Sequence, residues 1–313
     1  MRIWYFVVPF LWSLVFAPAA GAAPPGPSAD GDHSALRLRV EGGGWGRADP
    51  AKIEAVLYSV ADVLLSRMPN KLAPRVIITH TEGNPIAFYH RGPSGEYLVR
   101  LHASDERWHL YVFEFAHEFC HLLSNFDANL DSSASRHNQW FEESLCEAAS
   151  LYALDALAEK WANAPAGSGW PGHAAGLRSF YDQLLGEQHR QLPPRVQPAA
   201  WLDANEGRLR GDPYQREKND LVAKLLLPLF QERPKSWEAI GYLNLDPSDP
   251  GASLADYLRH WHQRVPLEHK SFVAGVSKVF GVVLPVGAAA GPATAGQPES
   301  VAIAAAPAAS AAR

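Results

Sequence analysis

Trp108-His109-Leu110-Tyr111-Val112-Phe113-Glu114-Phe115-Ala116-His117-Glu118-Phe119-Cys120-His121-Leu122-Leu123 is the stretch that decides this chain. No Gly or Pro interrupts residues 107–126, and apolar side chains recur at helical spacing. The segment therefore reads as a helix, with Ser104 or Asp105 as its N-cap. His117 and His121 stand four apart, on one helical face and one turn from each other. That spacing lets two imidazoles reach one metal ion, and Glu118 beside them can take a proton from a water at that ion. A carboxylate in so apolar a helix needs a reason of this kind, because an unpaired buried charge is costly.

Two ligands do not hold a catalytic zinc firmly, so a third is expected, with a fourth position left open. Downstream, Gln139-Trp140-Phe141-Glu142-Glu143-Ser144-Leu145-Cys146-Glu147 begins a second helix that runs to about Lys160. Glu143 and Glu147 lie one turn apart on one face. One can ligate the ion while the other accepts the free ring N–H of a ligand histidine.

At these residues the chain resembles the gluzincin metallopeptidases, the group that includes thermolysin and the related zinc aminopeptidases. Their second helix carries Trp-x-x-Glu or Asn-Glu, with a further acid four residues on. Trp140-Phe141-Glu142-Glu143 fits the first form and Glu147 fits the further acid. The resemblance implies one Zn²⁺ per chain held by His117, His121 and Glu143, with Glu118 as general base and Glu147 behind His117. Glu142 is a rival ligand, but four residues beyond it stands Cys146, which breaks the pattern. Ser144 replaces the usual Gly of the aminopeptidase form. The resemblance covers about residues 96–160.

The oxyanion of peptide hydrolysis needs a hydrogen-bond donor beside the metal. In gluzincins it is a Tyr or His from the lower domain. Asp212-Pro213-Tyr214-Gln215-Arg216-Glu217-Lys218 resembles the Pro-Tyr-x-Lys segment that carries this Tyr, with two extra residues before Lys218. Tyr214 is the candidate, with His260 and His262 as rivals, and His137 stands in the loop before the second helix. The Gly-x-Met-Glu-Asn amine-binding segment of the aminopeptidases is absent, which favours an endopeptidase.

The 313 residues carry 47% hydrophobic side chains and ten tryptophans, ample for a core. The net charge of −5 provides no basic field for nucleic acid. Residues 1–22 read as a signal peptide: Arg2, an apolar stretch over 3–16, then a small-residue cleavage site at Ala20-Gly21-Ala22. The protein is thus expected to be exported, periplasmic or secreted, with no stable membrane insertion after cleavage. Residues 23–34 read as a linker, 35–160 as the zincin-like upper subdomain, 161–286 as a helical lower subdomain, and 287–313 as a disordered Ala/Pro/Gly-rich tail. Within 35–160, strands are expected at 36–40, 75–80 and 96–102, with a helix opening at Asp49-Pro50 and running to about Met68. The strand at 97–102 is expected to border the cleft and pair with an extended peptide. Lower-half helices are expected near 173–190, 213–231, 253–265 and 267–280. Cys120 and Cys146, the only cysteines, fall one in each motif helix. They could pair in an oxidising compartment or remain two buried thiols.

The sequence therefore reads as an exported α+β zinc metallopeptidase acting on a peptide or protein substrate. The alternatives are a zinc hydrolase of a non-peptide amide or ester, and an exported metal-binding module without turnover.

Overall fold

The structure is a computed structural model that describes residues 36–68, 74–129 and 136–284. The expected signal peptide, linker and tail lie outside the described residues.

Four short strands form one mixed sheet: β1 (Arg37–Val40), β2 (Arg75–His80), β3 (Ile86–Ala87) and β4 (Tyr97–Leu101). Their order is β1-β2-β4-β3, with β1, β2 and β4 parallel and β3 antiparallel to β4. The strand expected to border the cleft is therefore internal. β4 is flanked on both sides, and the two-residue β3 takes the edge instead. Ile86-Ala87 is too short to show a period of two, which is why the sequence hid it.

Helix α1 (Pro50–Leu65) begins as expected. The Asp49 carboxylate accepts from the Ala51 amide at 2.9 Å, and Pro50 fills the first helical position, where no N–H is needed. Its Tyr58 hydroxyl and Glu54 carboxylate bond the Leu38 and Val40 amides at 3.0 and 2.8 Å, so α1 holds β1 in place. Helix α2 (Trp108–Leu123) starts without the expected cap: no side chain bonds its first turn. Asp105 adopts a left-handed backbone (φ 54°) and its carboxylate accepts from the Arg47 amide instead. The Glu114 carboxylate of α2 accepts from the His102 and Ala103 amides at 2.8 and 2.9 Å, fixing the end of β4 against this helix.

Helix α3 (Gln139–Ala162) is buried on nearly every side. It packs against α1, α2, α4 (Pro171–Gly186) and α6 (Arg216–Glu232), which explains why its apolar residues form no single stripe. Beyond α3 the chain is helical: α4, α5 (Pro198–Gly211), α6, α7 (Leu254–Arg264) and α8 (Leu267–Val279), with 3₁₀ turns at Gln188–Arg190 and Pro234–Tyr242. Helix α5 has no counterpart in the sequence reading. Only Leu202 and Leu209 of it are buried, too few to mark a helical face. One continuous apolar core runs from Leu38 and Ile53 through Phe115, Trp140 and Leu154 to Trp237, Trp261 and Val276. The protein is thus predominantly helical α+β with a small mixed sheet. Among the described residues, no helix is long and apolar enough to cross a membrane.

Candidate metal centre

The last two turns of α2 and the first two turns of α3 face each other and bring His117, His121 and Glu143 together. Glu143 Oε2 lies 3.2 Å from His117 Nε2 and 3.6 Å from His121 Nε2. Ligand atoms about 2.0–2.2 Å from a tetrahedral zinc are about 3.3–3.5 Å apart, so this spacing fits such an ion. The two rings point the same nitrogen, Nε2, at the same place. Their Nδ1 atoms turn away, each toward a carboxylate of α3.

His121 Nδ1 lies 2.8 Å from Glu142 Oε1. His117 Nδ1 lies 3.8 Å from Glu147 Oε2, an ion-pair distance rather than a hydrogen bond. A carboxylate behind Nδ1 favours the tautomer with its proton there and leaves the Nε2 lone pair for an ion. Glu147 thus stands on the outer side of His117, at ion-pair distance from its Nδ1. Glu142, the rival ligand, faces the outer nitrogen of His121, while its neighbour Glu143 faces both inner ones. Successive helical residues point about 100° apart, so one turn of α3 supplies a donor on each side of a single imidazole.

Both outer carboxylates are themselves anchored. Glu142, 1% exposed, accepts from Arg136 (3.0 Å), Asn244 (2.9 Å) and the Ser124 hydroxyl (3.2 Å). Asn244 is held in turn by the Tyr257 hydroxyl, 2.8 Å from Oδ1. Glu147 accepts from Arg190 at 2.8 Å, and Arg190 also meets Glu187 (3.0 Å) and Asp220 (3.3 Å). The sequence reading named none of Arg136, Arg190 and Asn244. They come from loops and a 3₁₀ turn that carry no periodic signal.

Electrostatics follow from this packing. Burial opposes charge on His117, but Glu143 and Glu147 outweigh it and hold the imidazole up to about 10. His121 is raised well above its ordinary value against the same burial, by Glu143 and Glu142. Glu143 is pulled well below the usual carboxylate range despite burial, by His121 and His117. The centre thus pairs imidazoles with carboxylates, and an ion entering it displaces protons. Glu118 is 5% exposed and behaves oppositely. Burial raises its carboxyl, although His117, His121 and the Ala87 backbone amide favour the charged form. An acid held partly toward its protonated form is suited to passing a proton.

Tyr214 stands in the turn before α6 rather than inside the helix, and the residue as a whole is exposed although its phenol end is partly buried. Its hydroxyl accepts from the Gln139 side-chain amide at 2.9 Å, and Gln139 precedes Glu143 by one turn. Burial of the phenol raises its pKa, and Tyr89 and Glu143 add to the effect. The phenol therefore sits at the rim of the cluster. Its rivals are engaged elsewhere: His260 Nδ1 is 2.9 Å from Asp249, and His262 is buried in α7. His137 Nδ1 accepts from Arg210 at 2.8 Å. Cys120 and Cys146 are free, buried and adjacent. Burial and the neighbouring Cys120 thiol push the Cys146 thiol well up, so Cys146 offers no ready thiolate to an ion.

Compared with protein-family models, with curated proteins and with solved structures, the chain matches none.

Proposed function

We propose that this protein is an exported zinc-dependent peptidase with a zincin-like catalytic half of the gluzincin type and a helical lower half. The observation that carries this reading is the convergence of His117 Nε2, His121 Nε2 and Glu143 Oε2 at tetrahedral spacing, with Glu118 alongside. His117, His121 and Glu143 hold one Zn²⁺. The chemistry supplied there is Lewis-acid polarisation of the scissile carbonyl and acidification of the attacking water.

The chain's own residues do the rest. Glu118 takes the proton of the attacking water and passes it to the leaving amine. Glu142 and Glu147 keep the histidine rings in the ligating tautomer. The Tyr214 phenol, whose proton has no acceptor among the described residues, donates to the oxyanion. The outward edge of β3 can align an extended peptide by strand addition, and the Ala87 amide beside Glu118 places that edge next to the base.

Purified mature protein should contain about one zinc per chain and cleave an unstructured substrate such as casein, with cleavage lost on chelation and regained with zinc. Full zinc occupancy in a His117→Ala/His121→Ala variant would sink the assignment.

A further inference from the structure

Tyr89 lies on the β3–β4 connection, two residues past Ala87, whose amide is close enough to the Glu118 carboxylate to favour its charged form. Its ring stacks on Phe126 at 5.0 Å between centroids, and Phe126 in turn lies against His121. The residue is nonetheless 37% exposed. Its hydroxyl accepts twice, from Arg136 Nη1 at 2.8 Å and from Gln139 Nε2 at 3.4 Å. The same Gln139 amide bonds the Tyr214 hydroxyl, so one side chain links a phenol from the sheet side to a phenol from the helical side.

A phenol oxygen that accepts from two donors has its lone pairs engaged and one proton left to give. Among the described residues, no acceptor receives that proton. The Arg136 guanidinium draws density from the oxygen and makes the O–H a stronger donor. Arg136 is itself balanced by Glu142 at 3.0 Å, so the spot carries little net positive charge and suits a neutral acceptor better than an anion. An extended peptide beside β3 offers such acceptors in its main-chain carbonyls.

We propose that Tyr89 is a substrate-contacting residue, its phenol donating to a main-chain carbonyl oxygen of the bound peptide. This rests on the peptidase reading. Tyr89 acts on binding, while Tyr214 acts on the oxyanion.

The test uses zinc-loaded full-length mature protein carrying Glu118→Gln, which binds without turnover. Fluorescein-labelled oxidised insulin B chain is titrated into Glu118→Gln and into Glu118→Gln/Tyr89→Phe, with zinc content and Tm recorded for both. The Phe variant keeps the ring on Phe126 and removes the hydroxyl, which is both the donor to the peptide and the acceptor for Arg136 and Gln139. Loss of one neutral hydrogen bond should weaken binding about 3- to 10-fold at unchanged zinc content. In the otherwise native enzyme, Tyr89→Phe should raise KM by a similar factor and leave kcat nearly unchanged, the opposite of Tyr214→Phe. Equal affinity of the two proteins overturns the role of Tyr89. Loss of zinc from the Phe variant overturns it too, because the phenol would then serve only to prop Arg136 and Glu142. If zinc-loaded Glu118→Gln binds no peptide at all, the peptidase reading itself fails, and the role of Tyr89 with it.

Discussion

Glu118 and Glu143 are both acids of the same cluster, and substitution separates them. Glu118→Gln keeps shape and hydrogen bonding but takes no proton. It should retain zinc by metal analysis and lose nearly all turnover, on the order of 10²–10⁴ in kcat. Glu143→Ala should lose zinc together with activity. Glu142→Gln gives a third pattern. The amide still fills the site, but the charge behind His121 is gone, so zinc affinity should drop by about 10- to 100-fold in a competition titration. If Glu142→Gln abolishes zinc and Glu143→Ala keeps it, the roles of the two glutamates are exchanged. Much of this centre was legible in the sequence, because helical spacing fixes which side chains share a face. His117 with His121, and Glu143 with Glu147, are each set by a step of four. The partners of Glu142 were not legible. Ser124, Arg136 and Asn244 reach it from loops, and only the tertiary fold brings residue 244 to residue 142.

At the scale of elements, legibility followed burial. Helices with one apolar face, such as α1 and α7, were found within a few residues of their ends. Helix α5 was missed for want of such a face, and β3 for want of length. The start of α2 was misplaced because Asp105, a good cap by type, is used to hold Arg47. Asp49, by contrast, does cap α1, so Asp49→Ala should lower stability by about 1 kcal/mol, read from denaturant unfolding. Zinc content should not change, because α1 supplies no residue to the cluster and meets it only by packing on β1, α2 and α3. A loss of zinc in this variant would mean that the sheet side positions the histidines more directly than their contacts indicate.

For the molecule as a whole, pH dependence should carry the mark of the Glu147–Arg190–Asp220 chain. Burial, together with Glu147, raises Asp220 to about 6 even though Arg190 and His189 are close. The unfolded carboxyl loses its proton near 4, so between pH about 4 and about 6 the folded state binds more protons than the unfolded one. Stability contributed by the protonated group is present below that window and falls as pH rises through it, by on the order of 1–3 kcal/mol. Asp220→Asn should flatten this slope in Tm measured from pH 4 to 7. A slope unchanged by the substitution would place the titration elsewhere.

The imidazole–glutamate pairing at the centre also bears on the order of events in the life of the chain. Protons on His117 and His121 stand in for the ion, so the interior is already balanced before any metal arrives. On the zinc reading, folding should then not wait for the ion, unlike small zinc modules that collapse only around it. Chelator-treated protein should keep its helical circular dichroism and a cooperative melt, with a lower Tm than the loaded form. On the zinc-peptidase reading, such a chain would fold while inert and be armed last, by the arrival of its metal.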